Sequence, residues 1–256
     1  MRAIWKGSVS FGLVNIPVKL YSATQQSSVN LEMVDRRDLG KVRFRRINEN
    51  TGQELTMEQI GKAYNYNGQY VLLEDEDFEA ASPEKSKVIA INNFVKEDEI
   101  DSIYFENSYY LEPEKSGEKA YALLREAMAK SGKVGLAQFI LRTAETLSVL
   151  KPMKDVLVLS KIRFAEEIRT VEELKIPSRS LIKPEELKMA LTLVNQYTET
   201  FNIAKYKDEY AAALLKVIED RASGRKGKVR KMTVAYSKTD NLMEQLKASL
   251  ARSKAS

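Results

Sequence analysis

Over roughly the first 112 residues, β-branched and aromatic side chains recur with a period of two, and turn chemistry breaks the pattern at Asn50-Thr51-Gly52 and at Asn67-Gly68. Such alternation suits strands with one face on a core and the other in water, so antiparallel strands and hairpins are expected here. Two more strand candidates follow, Val134 to Leu141 and Asp155 to Phe164, joined by a segment containing Pro152. Between the two strand regions, Ala120, Leu123, Leu124, Ala127 and Met128 make one helical stripe. The spacing predicts a helix over Gly117 to Lys130, capped by Ser116, ended by Gly132 and packed across the sheet. Together these elements predict a closed barrel with one inserted helix.

Beyond Pro177 the period changes to that of helices. Pro184 is well placed at a first helical position, and Leu187, Leu191 and Val194 share one face of a helix expected to reach Phe201. A second helix is expected over Asp208 to Ala222. A stripe on an arm that follows a complete barrel must be buried on the same chain or on a second copy, and the sequence does not choose. After Gly224 comes a stretch rich in Gly, Ser and Lys, then Leu242, Leu246 and Leu250 at four-residue spacing behind Asp240. A helix that short is marginal alone and is expected to order only against a partner surface. The expected fold is thus mixed β and α: an antiparallel β-barrel core with an inserted helix over residues 1–176, a helical arm over 177–223, and a flexible basic tail with a short amphipathic helix over 224–256.

The chain has 256 residues, 43% of them hydrophobic, and so can support a core without covalent staples. It contains no cysteine and no histidine. Disulfides, thiolate nucleophiles, imidazole metal ligation and the Ser-His-Asp and Cys-His mechanisms are therefore closed to it, and a reducing, cytoplasmic setting is the default expectation. Asn15, Pro17 and Lys19 interrupt the opening before any apolar run reaches signal-peptide length, and stretches such as Val156 to Leu159 fall far below the ~20 residues of a membrane helix. No membrane partner is expected.

The net charge of +5 is unevenly spread. From Arg221 onward there are ten basic and two acidic residues, while residues 1–220 carry 31 basic and 34 acidic ones. A balanced body with a cationic tail is the footprint of an arm that meets a polyanion, and without an aromatic, leucine-rich face for a bilayer the polyanion is read as nucleic acid. In the tail, Arg225, Lys226, Lys228, Arg230 and Lys231 put five cations into seven residues. In the body, Lys41, Arg43 and Arg45 would share one face of a strand as a rail for phosphates, and Lys6, Lys19, Arg36 and Arg37 could extend it. The acidic run Glu74 to Glu79 is expected to be a solvated turn or short helix. Tyr64, Tyr66 and Tyr70 share strand parity and are expected to pack across strands, and Trp5 to anchor the core.

No phosphate-binding glycine loop, dinucleotide fingerprint or His-Glu-x-x-His helix is present, and no cofactor is implied. Glu173-Leu174-Lys175 and Glu186-Leu187-Lys188 match the Glu-x-Lys piece of some metal-dependent nucleases, but such triplets are commonplace in charged helices. A nuclease is the one enzyme reading worth keeping, and an architectural DNA binder without end preference is the other alternative.

The opening run Arg2-Ala3-Ile4-Trp5-Lys6-Gly7-Ser8-Val9-Ser10-Phe11-Gly12-Leu13-Val14-Asn15-Ile16-Pro17-Val18 resembles the opening of the prokaryotic Ku family. Tyr109 to Pro113, Lys119 to Ala127, Glu186 to Ala190 and Leu242 to Leu250 agree with it, so the resemblance runs nearly end to end. It implies two barrel-bearing copies joined as a homodimeric ring around duplex DNA. Such a clamp protects broken ends in non-homologous end joining and recruits an ATP-dependent DNA ligase. Carried over, these roles put DNA contact in the basic tail and ligase contact in the region of Leu242, Leu246 and Leu250, within residues 225–250. The stripe of Leu187, Leu191 and Val194 is the expected dimer contact, and a bacterial nucleoid the expected location.

Overall fold

The computed structural model describes residues 1–25, 27–81, 87–141, 144–225 and 242–253. The chain divides into two compact units, one of residues 1–26 and 32–169, the other of 27–31 and 170–256.

The first unit is a seven-stranded closed barrel. Its strands are β1 (Trp5–Phe11), β2 (Val14–Ser22), β5 (Val88–Lys96), β6 (Phe105–Pro113), β7 (Lys133–Leu141), β8 (Ala144–Met153) and β9 (Val156–Ile162), in the spatial order β1-β2-β6-β9-β8-β7-β5. Six of the seven pairings are antiparallel, but the barrel closes on a parallel one between β1 and β5, from Ser8↔Val88 to Ser10↔Ala90. The barrel is antiparallel as expected except at that one seam. The long excursion between β2 and β5 makes it possible, because parallel neighbours need a crossover rather than a tight turn. Gly7 lets the seam shut: a Cβ there would lie 2.3 Å from the Lys87 carbonyl oxygen and 2.3 Å from the Trp5 ring. Ser8 N–H instead reaches the Lys87 carbonyl at 3.0 Å.

Alternate residues of the strands point inward, and Val9, Ile16, Leu20, Ile89, Leu150 and Leu159 are among those fully buried. Each such side chain contributes about 2 kcal/mol by leaving water. Trp5 packs edge-on against Phe139, ring centres 5.7 Å apart, which makes it the core anchor the sequence suggested. A second cluster, Val134, Val149 and Ile162, is covered by Val95, Ile100, Tyr104 and Phe105.

The inserted helix is α2 (Glu118–Ser131), ended by Gly132 at φ 63° as expected. Its start differs, since Gly117 and not Ser116 holds the N-cap position, with no side-chain cap. Its buried face is Tyr121, Leu124 and Met128, whereas Leu123 stays exposed. Tyr121 escapes an apolar pattern because of its hydroxyl, which is satisfied inside the core. The segment containing Pro152 is not a joiner but the end of β8. Pro152 pairs with Leu157 of β9, while the β7 ladder stops at Leu150, so the missing N–H costs nothing.

The excursion holds a separate hairpin, β3 (Lys62–Tyr66) and β4 (Gln69–Leu73), turned by Asn67 and Gly68 at positive φ. Its register pairs Tyr64 with Val71 and Asn65 with Tyr70, so Tyr70 lies on the face opposite Tyr64 and Tyr66, and all three are exposed. The shared parity read along the chain fails because a two-residue turn reverses the strand. The acidic run forms α1 (Asp75–Ala81), a short solvated helix.

In the second unit, α3 (Pro184–Tyr197) begins as expected but ends four residues before Phe201, α4 (Glu209–Ala222) is capped by Asp208 accepting from the Ala211 amide at 2.8 Å, and α5 is Leu242–Ser253. Among the described residues no helix is long and apolar enough to cross a membrane.

Candidate nucleic-acid interface

The register of β1 on β2 sets Lys6 directly opposite Lys19. On its other side Lys19 faces Glu112 of β6, and Glu112 itself accepts a 2.6 Å hydrogen bond from the Tyr21 hydroxyl. Like charges opposed on one sheet face repel at short range, and a bound polyanion converts that repulsion into attraction. Neither lysine has an ion-pair partner among the described residues. The same arrangement recurs where Lys96 of β5 faces Lys133 of β7. Sequence reasoning missed this second pair, since its members lie 37 positions apart and only the ladder brings them together.

The expected rail over Lys41 to Arg46 is not a strand. The segment has only isolated bridges at its margins, Val34↔Lys41 and Ile47↔Glu54, within two successive hairpin-like loops. The first loop is closed by the Asp35 and Val42 amides on the Gly40 and Met33 carbonyls, the second by the Leu55 amide on that of Arg46. With no continuous partner, alternation does not put Lys41, Arg43 and Arg45 on one face. The physical reason is that a strand needs a ladder, and this stretch donates its backbone to local turns instead. The turn expected at Asn50-Thr51-Gly52 is present, with the Asn48 carboxamide accepting from the Asn50 amide and Gly52 at φ 67°.

Several of these cations carry a neighbouring carboxylate. Lys41 pairs with Glu32 at 2.8 Å, Arg45 with Glu54 at 3.0 Å and Arg37 with Asp35 at 2.7 Å, all at the surface. The Arg37 guanidinium and amide hold the Asp35 carboxyl below its ordinary range. Exposed pairs contribute about 1 kcal/mol or less, so a denser anion such as a phosphate chain can displace them. Arg36 and Arg43 have no ion-pair partner among the described residues. Arg225 reaches Ser223 Oγ at 3.1 Å and Asp220 at 3.6 Å, while Lys226, Lys228, Arg230 and Lys231 lie outside the described residues.

A further cationic pair was not anticipated. Lys161 and Arg163 of the β9 end both grip Glu106, at 2.8 and 2.9 Å, and Arg163 also donates to the Ile103 and Phe105 carbonyls. These charges are consumed in holding β6 to β9 across its bulge between Phe105 and Ser108. They stabilise the fold rather than offer a free contact.

The stripe of Leu187, Leu191 and Val194 is open to solvent on the isolated chain, at 49%, 53% and 61% exposure. Of the C-terminal leucines, Leu246 and Leu250 are half-buried and Leu242 is exposed. Glu173 and Lys175 lie in an exposed irregular segment, and Glu186 and Lys188 in the first turns of α3.

Residues 10–189 match the family model described as the Ku70/Ku80 beta-barrel domain. The chain is 37% identical to the non-homologous end joining protein Ku of Coxiella burnetii, over 97% of this chain and 94% of the relative. It is 38% identical to the protein of the same name from Bacillus subtilis, over 86% and 72%, and 37% identical to that of Archaeoglobus fulgidus, over 98% of each.

Proposed function

Since this chain belongs to the Ku family, we propose that it binds the ends of double-stranded DNA in non-homologous end joining, as a ring-shaped homodimer that grips phosphates without reading base sequence. The observation that carries the reading is the opposition of Lys6 and Lys19 on the barrel, in a chain whose relatives are named for end joining. A pair of cations set against each other gains most from a phosphate chain laid across both. Lysines that meet phosphates carry no sequence information, so every break can be served alike.

A ring of two copies has its two-fold axis across the DNA path and presents the same surface to both strands. A closed ring loads only at a free terminus. The exposed face of Leu187, Leu191 and Val194 is the contact proposed for the second copy, because three apolar side chains on one helix face are costly in water. The basic residues from Arg225 to Lys231 add phosphate contacts, and the C-terminal helix recruits an ATP-dependent DNA ligase.

Competition tests the reading. Linear duplex should displace the protein from a labelled linear duplex far better, weight for weight, than covalently closed circular plasmid does. Equal displacement would instead favour an architectural binder indifferent to ends.

A further inference from the structure

Helix α3 carries two apolar faces. Its half-buried residues are Glu186, Met189, Ala190 and Leu193, whereas Leu187, Leu191 and Val194 are exposed and sit about 120° around the axis at 100° per residue. Helix α5 packs on α3, and its own half-buried residues include Met243, Leu246, Ser249 and Leu250, one face of the helix. Of the three leucines that the sequence offers for partner contact, Leu246 and Leu250 are thus half-buried on a helix that packs on the chain's own arm, while Leu242 is exposed. A 12-residue helix is marginal in water, so α5 owes its helicity to that contact.

We propose that the Met189–Ala190–Leu193 face of α3 is a docking surface for an amphipathic helix, held in cis by α5, and that α5 must leave it before Leu246 and Leu250 can engage another protein. The second half rests on the reading that the C-terminal helix recruits a ligase. The first does not. The helix accepted by this surface is one with apolar residues at i, i+3 and i+7, as at Met243, Leu246 and Leu250. A tethered helix competes at an effective concentration in the millimolar range, so the occupant is held without being locked. The cost to a competing partner is the fraction of time the stripe is masked.

The absence of cysteine makes the test direct, because one introduced thiol is the only one in the chain. In the full-length protein, Ser249→Cys lies on the half-buried face and Ala248→Cys on the exposed one. The thiol at 249 should react with a disulfide reagent about tenfold more slowly than that at 248, reflecting the tethered docking equilibrium. Adding Leu193→Asp, or Met243→Asp on the other helix should the first variant fold poorly, should bring the two rates together. A synthetic peptide of residues 241–253 in excess should speed the reaction at 249, and a scrambled peptide should not. Equal rates at 248 and 249, or protection untouched by Leu193→Asp, would overturn the docking surface. With the purified end-joining ligase of the same organism as probe, Leu193→Asp should raise capture by the full chain. Protected thiols with unraised capture would overturn the masking, and no capture by any variant would count against the ligase reading while leaving the docking surface in place.

Discussion

The Tyr121 hydroxyl accepts the Leu157 amide at 2.7 Å and donates to the Leu111 carbonyl at 2.8 Å. Leu111 and Leu157 are register partners in β6 and β9, so a side chain of the inserted helix completes a rung between two barrel strands. Burial raises the Tyr121 phenol above its ordinary pKa, which keeps the proton available to donate.

Tyr121→Phe preserves the ring and strands two buried backbone groups. The barrel should lose about 2 kcal/mol, the usual order for leaving such groups unpaired. Trp5, the only tryptophan, packs inside the barrel and reports its unfolding in denaturant by fluorescence. An unchanged midpoint would show that water replaces the hydroxyl without loss.

Lys6→Gln should act with opposite signs on stability and binding. Removing one of two opposed cations should slightly stabilise the free barrel. It should also weaken duplex binding and flatten the slope of log affinity against log salt by about 0.9, the value for one neutralised phosphate. Fluorescence anisotropy across a salt series measures this, and an unaltered slope removes the pair from the interface.

Deleting residues 225–256 should flatten the same slope further, by about 0.9 for every phosphate that the tail neutralises. An unchanged slope would make the tail idle on DNA.

Glu106 controls part of the acid limb of stability. The hydrogen bond from Lys161, with the charges of Lys161 and Arg163, holds its carboxyl below the ordinary range, and burial opposes them less strongly. A carboxyl depressed in the folded state stabilises fully above its unfolded pKa, and that contribution is lost as pH falls through the folded value. Glu106→Gln should therefore lower the denaturation midpoint at about pH 6 more than at about pH 3. Equal losses at both would mean the ion pairs contribute nothing.

Leu191→Asp should give a monomer by light scattering, since it places a charge in the middle of the exposed α3 stripe. Retention of the dimer would move the contact elsewhere.

What the amino-acid order determined by itself was local. Asn67-Gly68 sets its hairpin because both residues tolerate positive φ, Gly132 ends α2 for the same reason, and the Leu124 and Met128 positions of that helix follow from the 3.6-residue period. The exclusion of thiol and imidazole chemistry needed only the absent residues. The tertiary structure decided whatever depends on which strand lies beside which. Lys41 to Arg46 alternates like a strand but finds no ladder. Lys96 meets Lys133, Tyr70 turns away from Tyr64, and α5 packs on the chain's own α3. Each of these is a matter of register or of long-range packing, whose energies come from groups far apart in sequence and leave no trace in any short window.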